Sequence, residues 1–170
     1  MNFFRQLVNV NRTITRPADA VAYAAGDIIG TTTDAGTSTS VLILTNAGRA
    51  NGIGGFISSA VLIDSVNAAT NIDLDIFFFN TTLAQQADNV AFAPSDAEMD
   101  TCIGIGTIIS TDGKEGTLNI AYNMLMPSPG KIDFVPGDAS RNIFACLVVR
   151  NAYTPASGEI FNLRTWIYQA

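Results

Sequence analysis

Short runs rich in Val, Ile, Phe and Thr, each closed by a cluster of Gly, Pro, Asn or Asp, recur about every ten to fifteen residues along this chain. Such a chain buries apolar surface by pairing many short strands. The runs are Phe3 to Val10, Asp27 to Thr32, Val41 to Leu44, Gly55 to Asp64, Ile72 to Phe79, Thr101 to Ser110, Thr117 to Leu125, Ile132 to Val135, Asn142 to Arg150 and Ile160 to Tyr168. Turn signals such as Asn46-Ala-Gly48, Asn51-Gly52 and Pro127-Ser-Pro-Gly130 separate them. The spacing predicts an all-β antiparallel sandwich or barrel. Asp112-Gly113 is the expected hairpin turn, pairing the strand that ends at Ser110 with the one that starts at Thr117. The small polar run Thr31 to Ser40 is expected to be a loop.

The stretch Ile72 to Gly106 reads as a strand, a surface excursion and a return strand. Ser95 and Glu98 stand at capping-box spacing after Pro94, which predicts one short helical turn near Ser95 to Asp100. In the last strand Phe161, Leu163, Thr165 and Ile167 alternate with Asn162, Arg164, Trp166 and Tyr168. The first set suits a core. The second is too aromatic for plain solvent.

At 170 residues, with no apolar run of membrane-spanning length, the chain is expected to be one soluble domain made in a reducing cytoplasm. Residues 1–19 form an N-terminal arm or first strand, and 20–170 the sandwich. Cys102 and Cys146 lie in apolar runs and are expected to be free, buried thiols. Histidine is absent, which removes Ser-His-Asp and Cys-His nucleophiles, imidazole metal sites and histidine switches. The net charge of −6 disfavours nucleic acid. Arg5, Arg12 and Arg16 open the chain with no acid among them, whereas positions 50–113 hold eight acids and no Lys or Arg. That basic start is expected to reach an acidic patch on a partner.

Little in the sequence suggests catalysis. Asp73 and Asp75 share a strand face about 6 to 7 Å apart, near the spacing of glycosidase carboxylates, but two like charges there are ordinarily the solvated side of an alternating strand. Asn71, Asp73 and Asp75 lack the Gly and the bidentate Glu of an EF-hand loop. Gly52-Ile-Gly54-Gly55 and Gly104-Ile-Gly106 lead into no helix, and Gly113-Lys114 and Gly130-Lys131 lack the rest of a P-loop. Asn11-Arg-Thr13 and Asn80-Thr-Thr82 match a glycosylation pattern that matters only on secretion. No catalytic, cofactor or metal residue is assigned, and no enzyme is expected. The better lead is Arg164, Trp166 and Tyr168, residue types enriched at interface hot spots.

Five segments carry a resemblance: Ala22-Tyr-Ala-Ala-Gly-Asp-Ile-Ile-Gly30, Gly48-Arg-Ala-Asn-Gly52, Phe78-Phe-Asn80, Ala87-Asp-Asn-Val-Ala-Phe-Ala-Pro-Ser-Asp-Ala97 and Ala152-Tyr-Thr-Pro-Ala-Ser-Gly-Glu159. Together they resemble a family of small virion proteins of tailed bacteriophages, the capsid cement or decoration proteins with a jelly-roll sandwich. The resemblance implies attachment to the outside of an icosahedral capsid, often as a trimer, with the major capsid protein as partner. Arg5, Arg12, Arg16, Arg164, Trp166 and Tyr168 are then the expected interface residues. The alternative is a carbohydrate- or receptor-binding sandwich of a phage tail or fibre, with Trp166, Tyr168 or Phe79 as stacking platforms.

Overall fold

The computed structural model describes residues 6–32, 38–66, 72–137 and 140–170, so Arg5 and Asn71 lie outside it. Among the described residues thirteen strands follow one another: β1 (Gln6–Thr15), β2 (Ile28–Ile29), β3 (Thr31–Thr32), β4 (Ser38–Thr39), β5 (Leu42–Leu44), β6 (Gly55–Asp64), β7 (Leu74–Phe79), β8 (Cys102–Ile108), β9 (Lys114–Glu115), β10 (Ile120–Asn123), β11 (Ile132–Phe134), β12 (Ile143–Val149) and β13 (Ile160–Gln169). The helix α1 (Asp96–Met99) interrupts them between β7 and β8.

Two antiparallel sheets face one another. The first runs β1-β13-β6-β10-β9, with β11 also pairing β6. The second runs β2-β12-β7-β8, with β5 also pairing β12. The pairings nest: β1 lies against β13, β2 and β5 against β12, β6 against β10 and β11, and β7 against β8. A long hairpin rolled upon itself has this order, and the protein is a jelly-roll-like β-sandwich.

The core is made by alternation. Even-numbered residues of β1, odd-numbered residues of β13 and, in β6, Ile57 and then the even-numbered residues from Ala60 on point inward, so Val10, Ile14, Leu62, Phe161, Leu163 and Ile167 meet Leu74, Ile76, Phe78, Ala145 and Leu147 of the second sheet. β6 has the bounds that its sequence predicts. Among the described residues β1 runs on past the expected end at Val10 to Thr15, paired over ten residues with β13, while Phe3 to Arg5 lie outside the described residues.

The expected hairpin at Asp112-Gly113 does not form. β8 joins the second sheet and β10 the first, and only a bridge between Thr107 and Leu125 links the two segments. Ser110–Asp112 coils into a 3-10 turn, and Gly113 is extended, with φ −61 and ψ 138, so the chain crosses between sheets there. The tight turn comes later, where the Gly116 N–H donates to the Asn119 carbonyl. Thr31–Thr32 and Ser38–Thr39 pair as a small ribbon within the expected loop, whose residues 33–37 lie outside the described residues.

The excursion between β7 and β8 has a packing role. Ser95 Oγ accepts from the Glu98 N–H and the Glu98 carboxylate accepts from the Ser95 N–H, the capping box that the spacing predicts. Glu98 also accepts from the Ala84 N–H at 2.6 Å, which ties the helix to the chain that follows β7. Leu83 and Phe92 thereby close over the outer face of the second sheet, forming a second apolar cluster with Ile28, Val41, Phe77, Phe79, Phe144 and Cys146. Phe92 tilts against Phe77 at 5.0 Å.

Both cysteines belong to this cluster. Cys146 is wholly buried, and burial first, then the Glu98 carboxylate and Cys102, push its thiol up to about 12. Cys102 is half-buried rather than buried, and burial raises it too. β7 lies between β12 and β8, so two strand spacings of about 4.8 Å separate the cysteines, beyond the Cα reach of a disulfide. The native protein should label slowly at Cys102 and hardly at all at Cys146, and both should label at once on unfolding. A disulfide found by mass spectrometry, or rapid labelling of native Cys146, would contradict this packing.

Candidate binding face

The outer face of the first sheet, unlike that of the second, is open. Cross-strand register sets its side chains in rows: Leu7, Tyr168, Phe56 and Asp133; Asn9, Trp166 and Ser59; Asn11, Arg164, Val61 and Asn123; Thr13, Asn162, Ile63 and Ala121. Directly opposed residues of antiparallel strands share a face, so each row is a line of neighbouring side chains. Along β1, β13, β6 and β10 these rows carry one charge, Arg164.

Within this charge-poor field the aromatic groups gather at one end. Tyr168 stacks on Phe56 with ring centroids 5.0 Å apart, and Lys131 Nζ lies 5.3 Å from the Phe56 ring centre while bonding Asp133 at 2.7 Å. A shallow groove of about 370 Å³ runs between Leu7, Ser58, Val61, Asn123, Trp166 and Tyr168. A second cleft of about 350 Å³, bordered by Phe56, Lys131, Val135 and Tyr168, continues it past the strand ends. Tyr168 borders both. Leu7 is 49% exposed and Val135 58%, so large apolar side chains stand in solvent beside half-buried rings. A bulge at Trp166/Ile167, opposite Ser58, adds local twist where the groove lies.

The sequence-predicted residues separate into three groups. Arg164, Trp166 and Tyr168 share the open face, with Arg164 exposed and the two rings half-buried. Arg12 lies on β1 on the opposite side from them, half-buried, with its guanidinium donating to the Ile43 carbonyl and the Thr45 hydroxyl. Arg16 corrects the expectation of a basic arm, because its side chain is fully buried. Arg16 donates to the Tyr23 hydroxyl and pairs with Asp88 at 3.3 Å and Asp19 at 3.4 Å, while Tyr23 donates to Asp88 at 2.6 Å. A charge held this way cannot reach a partner. Phe79 is buried too, which removes it as a stacking platform.

The paired carboxylates of β7 and its flank are scaffold. Asp73 accepts from the Ser110 N–H and the Asn151 amide; despite desolvation, these bonds hold it below the ordinary carboxylate range. Asp75 accepts from Thr107 at 2.8 Å and faces Arg150 at 3.6 Å. Among the described residues no group of three or more His, Cys, Asp or Glu is placed to hold a metal ion, and no helix is long and apolar enough to cross a membrane.

Two polar clusters escaped sequence reasoning: that around Arg16, and a buried pair, Asp64 and Glu159, at the end of β6 and the start of β13. Strand parity was the available signal. Arg16 continues the inward series Val10, Ile14, and Asp64 continues Ala60, Leu62.

No protein-family model matches the chain, and no curated protein matches it. Among solved structures, it is similar to a chain in the structure of a marine algae virus of the order Picornavirales, at 13% identity, covering 98% of this chain and 69% of that one. The TM-score of that superposition is 0.32, too low to carry an argument, so the jelly-roll-like fold stands on its own strand order.

Proposed function

We propose that this protein is a virion structural protein that binds the outer surface of a phage capsid and stabilises its lattice, and that it docks through the open face of β1, β13, β6 and β10. The supporting observation is the asymmetry of the two sheets: the chain covers the apolar outer face of one with its own excursion and leaves the other, with Trp166, Tyr168, Phe56 and Leu7, uncovered. An open face poor in charge, with aromatics and one Arg near its middle, has the make-up of an interface core. The phage resemblance of the sequence supplies the identity of the partner, the major capsid protein, and favours a homotrimer made in the host cytoplasm and carried on the capsid exterior. Binding an assembled lattice more tightly than free subunits shifts the equilibrium toward the lattice.

Co-sedimentation with capsids lacking the protein tests this. Saturable pelleting that raises the heat resistance of the capsids, together with a trimeric native mass, is the expected result. Protein left in the supernatant at micromolar concentration would sink the proposal. The Asn amides beside the rings also suit neutral sugars, so glycan or host-cell binding without capsid binding would favour the tail or fibre reading instead.

A further inference from the structure

Among the described residues β1 is the outer strand of its sheet, paired with β13 on one side and with no strand on the other. The direction of its backbone groups is fixed at its last residues. The Arg16 N–H donates across the sheet to the Glu159 carbonyl at 2.9 Å, whereas the Thr15 N–H donates at 3.0 Å to the Thr31 hydroxyl of β3, which lies outside this sheet. An antiparallel strand turns successive residues to opposite sides, so Leu7, Asn9, Asn11 and Thr13, in step with Thr15, aim both N–H and C=O off the sheet edge. The register with β13 has no shift that would break this parity. All four residues are exposed, and their N–H groups meet no other backbone among the described residues. Native sheets commonly blunt such an edge with Pro, Lys or a bulge. β1 has none of these, and its one charge, Arg12, is turned aside to Ile43 and Thr45.

A groove of about 430 Å³ follows the first half of this edge, where Val8 and Asn9 line it together with Thr45, Asn46, Arg49 and Arg141. The loop opposite β1 is braced. The Asn46 N–H donates to the Asn142 side-chain oxygen at 3.0 Å, the Gly48 N–H to the Arg141 carbonyl at 2.8 Å, and the Gln169 amide to the Asn46 carbonyl at 2.7 Å. Among the described residues no acid lines the groove, and Arg12 brings a third guanidinium to Thr45. In a chain of net charge −6, this is a local excess of positive charge.

We infer that the β1 edge is a strand-addition site for an extended acidic segment of a partner protein, which pairs its backbone with Leu7, Asn9 and Asn11 and sets alternate carboxylates against Arg49 and Arg141. In this mode main-chain bonds supply affinity, and side chains at every second position supply specificity. The Asn11 carbonyl already accepts from its neighbour Arg12 at 2.8 Å, but a carbonyl has a second lone pair to give. A second copy of this chain is the poorer occupant. Residues 1–16 hold three Arg and no acid, so another β1 would bring positive charge to a rim that is already cationic. The site is separate from the groove at Trp166 and Tyr168, and its occupation does not depend on capsid binding.

Fluorescence anisotropy of a labelled, end-capped peptide of eight residues alternating Glu and Thr, titrated with the full chain, tests this. Micromolar binding is expected, and a peptide alternating Lys and Thr should bind about tenfold more weakly or worse. Arg141→Glu, at an exposed position outside the strands, should weaken the Glu peptide by about tenfold while leaving the Tm unchanged. Methylating alternate peptide amides separates strand pairing from charge alone, because the side that carries the carboxylates fixes which amides face β1. Methyl groups on one alternate set should abolish binding, and on the other set should leave it nearly intact. Equal tolerance of both sets, or no binding at millimolar peptide, would overturn the inference. So would slow hydrogen exchange of the Asn9 and Asn11 amides in the chain alone, growing with its concentration, which would give the edge to a second copy.

Discussion

Replacing Arg16 by Gln should lower folding stability by about 3 to 5 kcal/mol, because it leaves Asp88 almost fully buried without its charge partner. Asp88 Oδ1 also accepts from the Gly30 N–H at 2.7 Å, so the carboxylate joins the end of β1 to the strand segments that lead into the second sheet. The guanidinium lies 4.6 Å from the Tyr23 ring centre, and Tyr23 exchanges backbone bonds with Tyr153. One substitution thus disturbs three chain segments far apart in sequence. Denaturant unfolding should show a lower midpoint at an unchanged slope. Arg12→Gln is the comparison: its half-buried side chain bonds only neutral acceptors, so its loss should cost about 1 kcal/mol. Equal effects of the two substitutions would contradict the burial of Arg16.

The second large effect belongs to the open face. Trp166→Ala combined with Tyr168→Ala should weaken capsid attachment by about a hundredfold or more, on the scale of two interface hot spots. Folding should suffer far less than from a core substitution, because both rings lie outside the core between the sheets. Arg164→Gln should act more mildly and chiefly on the salt dependence of binding, as an exposed charge steers more than it holds. Titrating capsids with each variant at two salt concentrations separates these effects. Undiminished binding by the double variant would remove the open face from the account.

Much of this architecture was legible because its determinants are local. β6 begins at Gly55 and ends at Asp64 as its pattern predicts, the capping box of Ser95 and Glu98 forms at its predicted place, and the alternation of β13 divides core from face at every residue. The failures come from longer range. Asp112-Gly113 has hairpin composition, but the rolled order of the strands sends its two flanks to opposite sheets. Arg16 reads as part of a basic arm because Asp88, its buried partner, is 72 residues away. Asp64 and Glu159 become buried only once β6 and β13 are paired. Strand parity could have flagged both, since a charged residue that continues an inward series must find a partner inside the protein. The candidate face was visible as a strip of residue types, Arg164, Trp166 and Tyr168, whereas Leu7 and Phe56 joined it only through cross-strand register.

An image reconstruction of capsids saturated with the purified protein tests the central claim most directly, because it locates each face of the sandwich relative to the lattice. The account predicts that the sheet of β1, β13, β6 and β10 lies against its neighbours, with Trp166 and Tyr168 inside the contact. Reconstructed capsids in which the excursion of residues 80–101 makes the contact, while Trp166 and Tyr168 face solvent, would contradict it.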